Sequence, residues 1–320
     1  MVKTGNPLAP ARVEHIPCPL CGSTQLSALL RSAAQMSPRK ESFQFARCRH
    51  CDLVHLNPRV VEEDIGLFYG RDYPPHLGAD AWGRYAPLVR VAQQQTDRFR
   101  VRLTTQFAQL SARSRVLDVG CGQPSFLDRL HRDLHASCVG VDASDGGWRA
   151  APDRFASLTL LRGTVHDVTL QPTFDAITMW HAIEHEPHPV AALRRLRTLA
   201  AGHTALVIET PNYDSLTRRA HGSCWAGFHT PRHTAIYTPA TLDRLLDTAG
   251  WRLAHVRTWG SLDAYLLWWL GRQDAKGTIR EGSLEGLFPS FVAGKIASWP
   301  VRWAERSVSL GLMLAVARPG

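Results

Sequence analysis

The run "SRVLDVGCGQPSFLDRLH", Ser114 to His131, decides how this chain is read. "RVLDV" is a short apolar run of the kind that forms a strand buried on both faces, "GCGQP" is a tight turn, and "SFLDRLHRDL" reads as a helix. A second strand, "CVGVDAS" (Cys138 to Ser144), carries Asp142 near its end. Gly120 and Gly122 let the backbone pass close to a ligand, and the N-terminus of the following helix faces it. An acid at the end of a second strand is placed to hydrogen-bond both hydroxyls of a ribose. The pattern predicts a nucleotide-type cofactor on an α/β sheet. A dinucleotide fingerprint would carry a third glycine at position 125, where this chain has Ser125, and the chain also has an acid inside the first strand, Asp118.

That D-x-G-x-G pattern, followed by "VGVD", resembles the class I S-adenosylmethionine-dependent methyltransferases. Later stretches are similar to the family's landmarks in order: "FDAITMWHAIEH" (Phe174–His185) to the fourth strand, "HTALVIETPN" (His203–Asn212) to the fifth, "PRHTAIYTPATLDRLLDTAGW" (Pro231–Trp251) to the helix before the sixth, and "GLMLAVARPG" to the closing strand. The resemblance runs from about Arg115 to the C-terminus. It implies an enzyme with an α/β fold, a doubly wound, mostly parallel seven-stranded sheet. It implies that Asp118, Gly120, Cys121, Gly122 and Phe126 cradle the methionine end of S-adenosylmethionine, and that Asp142 and Ala143 hold the ribose. Thr164 and Val165, with His166, would lie along the adenine, and Trp180 and His181 at the cofactor-facing end of the fourth strand. Pro124 departs from the family, which usually has a glycine there; proline is tolerated at the first position of a helix.

"WHAIEHEPHP", Trp180 to Pro189, then falls beside the cofactor and faces the acceptor. Methyl transfer is an in-line displacement, so the enzyme chiefly positions the acceptor and removes its proton. Histidine suits that task near neutral pH. His181 and His185 are the candidate bases, on one helix face at i and i+4, and His233 is a third catalytic candidate. The ubiquinone-pathway O-methyltransferases and the small-RNA 3′-end methyltransferases carry Glu-x-x-Glu-His here with a divalent ion. Similarity to them implies an ion at Glu184 and His185, closed by His229 or His233, although His181 stands where they place the first glutamate. A third alternative has Glu184 and His185 capping the helix start and buttressing the cofactor loop.

Ahead of this domain lie "CPLCG" (Cys18–Gly22) and "CRHC" (Cys48–Cys51). Two C-x-x-C turns can offer four thiolates to one tetrahedral ion, so Cys18, Cys21, Cys48 and Cys51 predict a structural zinc ribbon. His50 and His55 are minority ligands, and Arg39, Lys40, Arg47 and Arg49 give the ribbon a basic surface. Such a ribbon before "RCRHCDLVHLNPRVVEEDIGLFYGRDY" resembles a bacterial subgroup acting on glycans, lipids and secondary metabolites. The expected organisation is a ribbon over 1–60, a linker and helical extension over 61–112, and the methyltransferase domain over 113–320 with an insertion at about 261–307. The linker carries Phe68, Tyr69 and Tyr73, and Leu88, Val91, Phe99, Leu103, Phe107 and Leu110 should form one apolar face of a helix from about Trp82 to Leu110.

The hydrophobic fraction of 44% and charged fraction of 20% describe a folded globular chain rather than a disordered one. No signal-peptide pattern or membrane-spanning run is present, so a cytoplasmic protein is expected, with its seven cysteines reduced. The net charge of +9 favours an anionic contact or reflects arginine-rich composition. Within the insertion, "YLLWWLG", "LFPSFVAGK" and "WPVRWAER" set tryptophans beside Lys295, Arg302 and Arg306, which suits either a lid packed on the core or peripheral membrane contact. The leading expectation is O-methylation of a small-molecule, glycan or lipid-linked acceptor. The alternatives are an RNA or tRNA methyltransferase and a non-enzymatic zinc-ribbon binding protein.

Overall fold

The structure, a computed structural model, describes residues 9–69, 77–149, 151–278, 283–301, 305 and 307–320. The N-terminal part forms β1 (Val13–Glu14), β2 (Leu26–Ala33), β3 (Ser42–Cys48), β4 (Val54–Leu56) and β5 (Arg59–Val60). A 3-10 turn over Gly78–Tyr85 leads into α1 (Ala86–Ala108). The alternation of β6 (Arg115–Val119), α2 (Ser125–Leu134), β7 (Ser137–Asp142), α3 (Gly146–Arg149), β8 (Thr159–Arg162), β9 (Phe174–Trp180), α4 (Pro189–Thr198) and β10 (Ala200–Pro211) follows. The chain closes with α5 (Leu216–His221), β11 (Ala235–Ile236), α6 (Pro239–Thr248), β12 (Trp251–Arg257), α7 (Ala264–Ala275), α8 (Phe288–Ala297) and β13 (Leu312–Pro319).

Seven strands form one sheet in the order β12-β13-β10-β9-β6-β7-β8. β8, β7, β6, β9 and β10 run parallel, and β13 lies antiparallel between β10 and β12. This is the doubly wound sheet expected from the sequence. Its strands are apolar at successive positions because both faces are covered. Leu117, Ile177 and Leu206 enter one core with Leu193, Leu246 and Trp251. Their neighbours Val116, Ala176 and Val207 enter the other, with Val101 of α1 and Leu127 of α2. The period of two is that of a strand, applied to both faces at once.

A second, four-stranded sheet has the order β11-β4-β3-β2, so a strand from beyond β10 completes the sheet of the N-terminal ribbon. Cys18, Leu20, Cys48, Cys51 and Leu53 sit in the same core as Leu117 and Ile177. Packing therefore runs across the expected boundary near residue 60.

The helix expected from Trp82 onward is shorter at its start and turned differently. Leu88 and Val91 are 60% and 53% exposed, whereas Val101, Leu103 and Leu110 are buried. Only the C-terminal half of α1 lies on the sheet, so the apolar face expected over its whole length is corrected to that half. The insertion packs α7 and α8 onto the turn before α1, in a satellite core where Trp82 stacks on Trp269 at 5.9 Å and Tyr85 on Phe288 at 4.1 Å. Ile296 and Trp299 remain 69% and 62% exposed. Lys295 pairs with Asp263 at 3.5 Å; Tyr73, Arg302 and Arg306 lie outside the described residues.

Candidate active site

The turn after β6 is tied to β7 through Gly120 N and Cys121 N, which donate to Val141 O at 2.8 and 3.2 Å. Gly120 and Gly122 have φ of +73° and +49°, values that a side chain would strain. A Cβ on Gly120 would meet Ala182 Cβ at 2.7 Å, so the turn touches the segment of the histidines, while a Cβ on Gly122 would meet nothing within 4 Å. Asp142 accepts from Gly122 N and Ser144 N, both at 2.8 Å, one bond to each oxygen. A carboxylate has about four acceptor positions, so capacity remains for a ribose diol. Asp118 is buried and accepts from Thr178 Oγ1 at 2.6 Å, and burial pushes its carboxyl up to about 7.

The rest of the expected cofactor set divides by depth. Cys121, Phe126, Val165 and Trp180 are buried. Phe126 meets Trp180 edge-on at 5.5 Å, and Arg100 lies over Trp180 at 4.8 Å. Ala143 and Thr164 are exposed, with Thr164 Oγ1 donating to Asp167 at 2.7 Å.

After β9 the chain does not enter a helix at once. His181 adopts φ +55°, Ile183–His185 form a single 3-10 turn, and the N-cap of α4 is His188. Two expectations are corrected by this. His181 and His185 do not share a helix face, and Glu184 and His185 cap no helix. A non-glycine residue in the left-handed region costs of order 1–3 kcal/mol and persists only where its surroundings hold it. Here the surroundings are two carboxylates. His181 Nε2 lies 2.9 Å from Glu209 Oε1, and Nδ1 lies 3.3 Å from Glu184 Oε1. Burial opposes the charge, but contact with Glu184 and Glu209 outweighs it and raises His181 to about 9. Both carboxyls are in turn held down at about 2 in spite of burial, chiefly through His181. His181 is thus an imidazolium with both nitrogens engaged.

His185 points elsewhere, toward His229 and His233. Ring centroids are 4.5 Å apart for His185 and His233, 4.9 Å for His229 and His233, and 6.1 Å for His185 and His229. Burial depresses all three, His233 to about 3. They are neutral at physiological pH. His233 Nδ1 lies 2.8 Å from Gly227 O, and His185 Nδ1 lies 3.2 Å from both Arg232 O and Tyr69 Oη. A carbonyl only accepts, so each Nδ1 carries the proton and each Nε2 presents a lone pair. Glu184 is fully buried; its Oε2 accepts from Thr210 Oγ1 at 2.9 Å, while Oε1 faces His181 Nδ1 at 3.3 Å.

Residues that the sequence did not single out hold this arrangement. Arg232 is buried and donates to Gln35 O at 2.8 Å, Met36 O at 3.0 Å and Phe68 O at 2.9 Å through Nε. It joins the ribbon, the linker and the loop before β11. Glu209, at the end of β10, also accepts from Ser261 N and, at 2.7 Å, from Ser261 Oγ, with Arg100 at 3.7 Å. The motif "PRH" and the acid in "VIETP" were the available signals, but neither carries a spacing that tells what it touches.

The four ribbon cysteines converge. Their sulfurs lie within 4.8 Å of one another, with Cys18–Cys51 at 3.4 Å and Cys21–Cys48 at 3.6 Å. A tetrahedral ion with bonds of ~2.3 Å has sulfur–sulfur edges of ~3.8 Å, so the cluster fits zinc. His50 is exposed and His55 is buried in β4, and neither joins the cluster, which corrects their place as alternative ligands.

The family model described as "Methyltransferase domain" matches residues 91–256, just over half of the chain. No curated protein sequence matches it. Solved structures with a similar fold include a putative sarcosine dimethylglycine methyltransferase from Galdieria sulphuraria, at 13% identity, covering 72% of this chain and 87% of that one with a TM-score of 0.49. Another is a cyclopropane synthase from Mycobacterium tuberculosis, at 14% identity, 68% and 82% coverage and a TM-score of 0.47. A third is magnesium protoporphyrin IX methyltransferase from Synechocystis with bound SAH, at 20% identity, 57% and 89% coverage and a TM-score of 0.42.

Proposed function

The chain belongs to the methyltransferase-domain family, as a class I S-adenosylmethionine-dependent enzyme, and we propose that it methylates a hydroxyl of a small-molecule, glycan or lipid-linked acceptor. When bound, S-adenosylmethionine supplies an electrophilic methyl group that bonds to the acceptor oxygen as its bond to sulfur breaks and the electron pair returns to sulfur. Gly120 and Gly122 hold the backbone open for the methionine end, and Asp142 takes the ribose hydroxyls with its remaining lone pairs.

The observation that carries the hydroxyl acceptor is the cluster of neutral imidazoles around His185, on the segment whose Ala182 meets the glycine turn. A hydroxyl must lose its proton as the oxygen bonds to carbon, and a neutral imidazole with an exposed lone pair accepts it. We assign that proton to the cluster of His185 and His233 rather than to His181, whose two nitrogens face carboxylates. His181 is a positioning residue that fixes the chain between β9 and the histidine cluster. The exposed Ile296 and Trp299 support a lipid-linked acceptor met at a membrane surface. No helix among the described residues is long and apolar enough to cross a bilayer.

The test is calorimetric titration with S-adenosylhomocysteine, followed by transfer of a radiolabelled methyl group to fractionated extract. Micromolar binding with label in the lipid, glycan or small-molecule fraction, as an ether, is expected. Label in nuclease-sensitive material would transfer the assignment to RNA, and label on nitrogen would overturn the hydroxyl.

A further inference from the structure

Three arginines of the N-terminal part carry a carboxylate partner: Arg12 meets Asp64 at 2.9 Å, Arg39 meets Glu41 at 2.6 Å and Arg59 meets Glu14 at 2.8 Å. Arg47, in β3, does not. Its guanidinium has neither an ion pair nor a hydrogen bond among the described residues, and its Nε is buried. Arg47 follows Phe43 and Phe45 at the strand period of two, so its side chain runs along the apolar cluster of Phe45, Tyr213 and Phe228. There its Cζ lies 5.7 Å from the centroid of the Tyr213 ring. Arg218 of α5 reaches the same ring from a distant segment, with Cζ at 4.4 Å. Both distances are to one centroid, so the two charges are at most about 10 Å apart.

We propose that Arg47 and Arg218, stacked on Tyr213, bind the phosphate or diphosphate group of the acceptor. Two like charges held close together repel, and a partly buried guanidinium without hydrogen bonds is costly, so an anion offsets both. Stacking occupies the flat face of a guanidinium and leaves its in-plane N–H fork, which matches phosphate oxygens. A phosphate monoester carries close to two negative charges at neutral pH, as two arginines require. The site is also built in advance. Tyr213 is buried and its N donates to Tyr237 O at 2.8 Å. Arg218 Nε donates to Tyr213 O at 3.0 Å, and its backbone N to Ser215 Oγ at 3.3 Å. The terminal nitrogens of Arg218 have no other partner among the described residues, and the exposed Asp214 pairs with neither arginine.

The arginines and the histidine cluster are joined to one apolar cluster. Phe228 lies 6.4 Å from Tyr213 and 4.7 Å from Phe45, ring to ring, and the next residue in the chain is His229. Phe68, in the same cluster, precedes Tyr69, which contacts His185. The inference rests on the acceptor site proposed above and adds the handle by which the acceptor is held. Binding a non-reacting part of a substrate at a fixed point positions the reacting part. Arg47 comes from the ribbon and Arg218 from the stretch that matches the methyltransferase family, so this site needs both parts of the chain. The ribbon then takes part in choosing the acceptor.

The test is calorimetric titration of the full chain, saturated with S-adenosylhomocysteine so that the cofactor pocket is closed to nucleotides. The probes are geranyl diphosphate, uridine diphosphate and inorganic phosphate. The native chain should bind one of the two diphosphates, and Arg47→Gln/Arg218→Gln should weaken that binding at least tenfold while S-adenosylhomocysteine still binds. A preference for geranyl diphosphate would assign the phosphate to a lipid carrier, and a preference for uridine diphosphate to a nucleotide. Arg218→Gln alone, on a partly exposed side chain, should weaken binding at least threefold even if the double variant fails to fold. No binding of any probe by the native chain at millimolar concentration, or unchanged binding in the folded double variant, would overturn the site. Tighter binding of a single-stranded RNA through the same two arginines would overturn it too. The label-transfer assay separates the two proposals. Diphosphate binding with label on nitrogen sinks only the hydroxyl acceptor, and an ether on a phosphate-free product with no diphosphate bound sinks only the arginine site.

Discussion

Tyr69 Oη lies 3.2 Å from His185 Nδ1, across 116 residues of chain. The phenol is pushed up to about 12 by burial, and the carboxylates of Asp142 and Glu184 both act on it in the same direction. The end of the linker thus meets the histidine cluster and feels the charge of Asp142, the proposed ribose ligand, so the N-terminal part of the chain contributes to the candidate site. Each of the following consequences can be measured.

Asp142→Ala removes the acceptor for Gly122 N and Ser144 N as well as the proposed ribose ligand. Charged hydrogen bonds contribute ~1.5–3 kcal/mol each, so affinity for S-adenosylhomocysteine should fall by at least ~10²-fold. Calorimetry reads the loss, and elemental analysis should still find the ribbon zinc. Unchanged affinity would remove Asp142 from the site.

Glu209→Ala leaves the His181 imidazolium facing only Glu184 and strips Ser261 of its acceptor. Breaking one partner of a buried ion pair costs ~3–5 kcal/mol. Thermal unfolding should show a drop of several degrees or more. A neutral outcome would mean that Arg100 and His181 find other partners.

Acid should destabilise the fold through its three buried histidines. His185, His229 and His233 are depressed by burial, His233 from 6.5 to about 3. Between those values the unfolded chain binds more protons than the folded one, so stability rises with pH there and is lost as pH falls below 6.5. The slope is about 1.4 kcal/mol per pH unit for each histidine. His181 works the opposite way. Raised to about 9, its contribution is complete below 6.5 and is lost as pH rises through 9. Denaturant titrations from pH 4 to 7, repeated with His233→Gln, should show a shallower acid slope in the variant.

Cys48→Ser should remove the zinc and unfold more than the ribbon. Cys48 and Cys51 share a core with Leu117 and Ile177, and β11 pairs with β4. One cooperative transition at lower temperature is expected, with cofactor binding lost alongside. Two separated transitions would show that the ribbon folds by itself.

Ile296→Ser/Trp299→Ser alters side chains that are mostly in solvent, so the melting temperature should stay within about a degree. Sedimentation with phosphatidylglycerol vesicles should fall severalfold relative to the native chain. Equal sedimentation would remove the membrane from the proposed function.

Much of this architecture was legible because its signals are local and periodic. "RVLDV" becomes β6 and "SFLDRLHRDL" becomes α2 at the expected residues, since a doubly buried strand and an amphipathic helix each write a pattern into consecutive positions. The two cysteine turns are similarly self-contained, and the structure brings their four sulfurs together. "WHAIEHEPHP" was legible as a chemical site but not in its geometry. Helical spacing grouped His181 with His185, whereas the left-handed backbone at His181 separates them.

By itself, then, the sequence determined the strand–turn–helix of the cofactor cradle, the acid at the end of β7 and the pairing of the cysteine turns. The first two depend on residues a few positions apart, whose mutual geometry the backbone fixes, and the distant cysteine turns are matched by carrying the same C-x-x-C spacing. The resemblance had grouped His185 with His229 or His233; only the tertiary structure decided that all three rings meet, that Glu209 and Glu184 hold His181, and that Tyr69 and Arg232 bind the N-terminal part to the site. These are single polar side chains from distant segments, and no periodicity marks them. What selects their partners is burial, which leaves each polar group to find the one neighbour that the folded chain brings within reach.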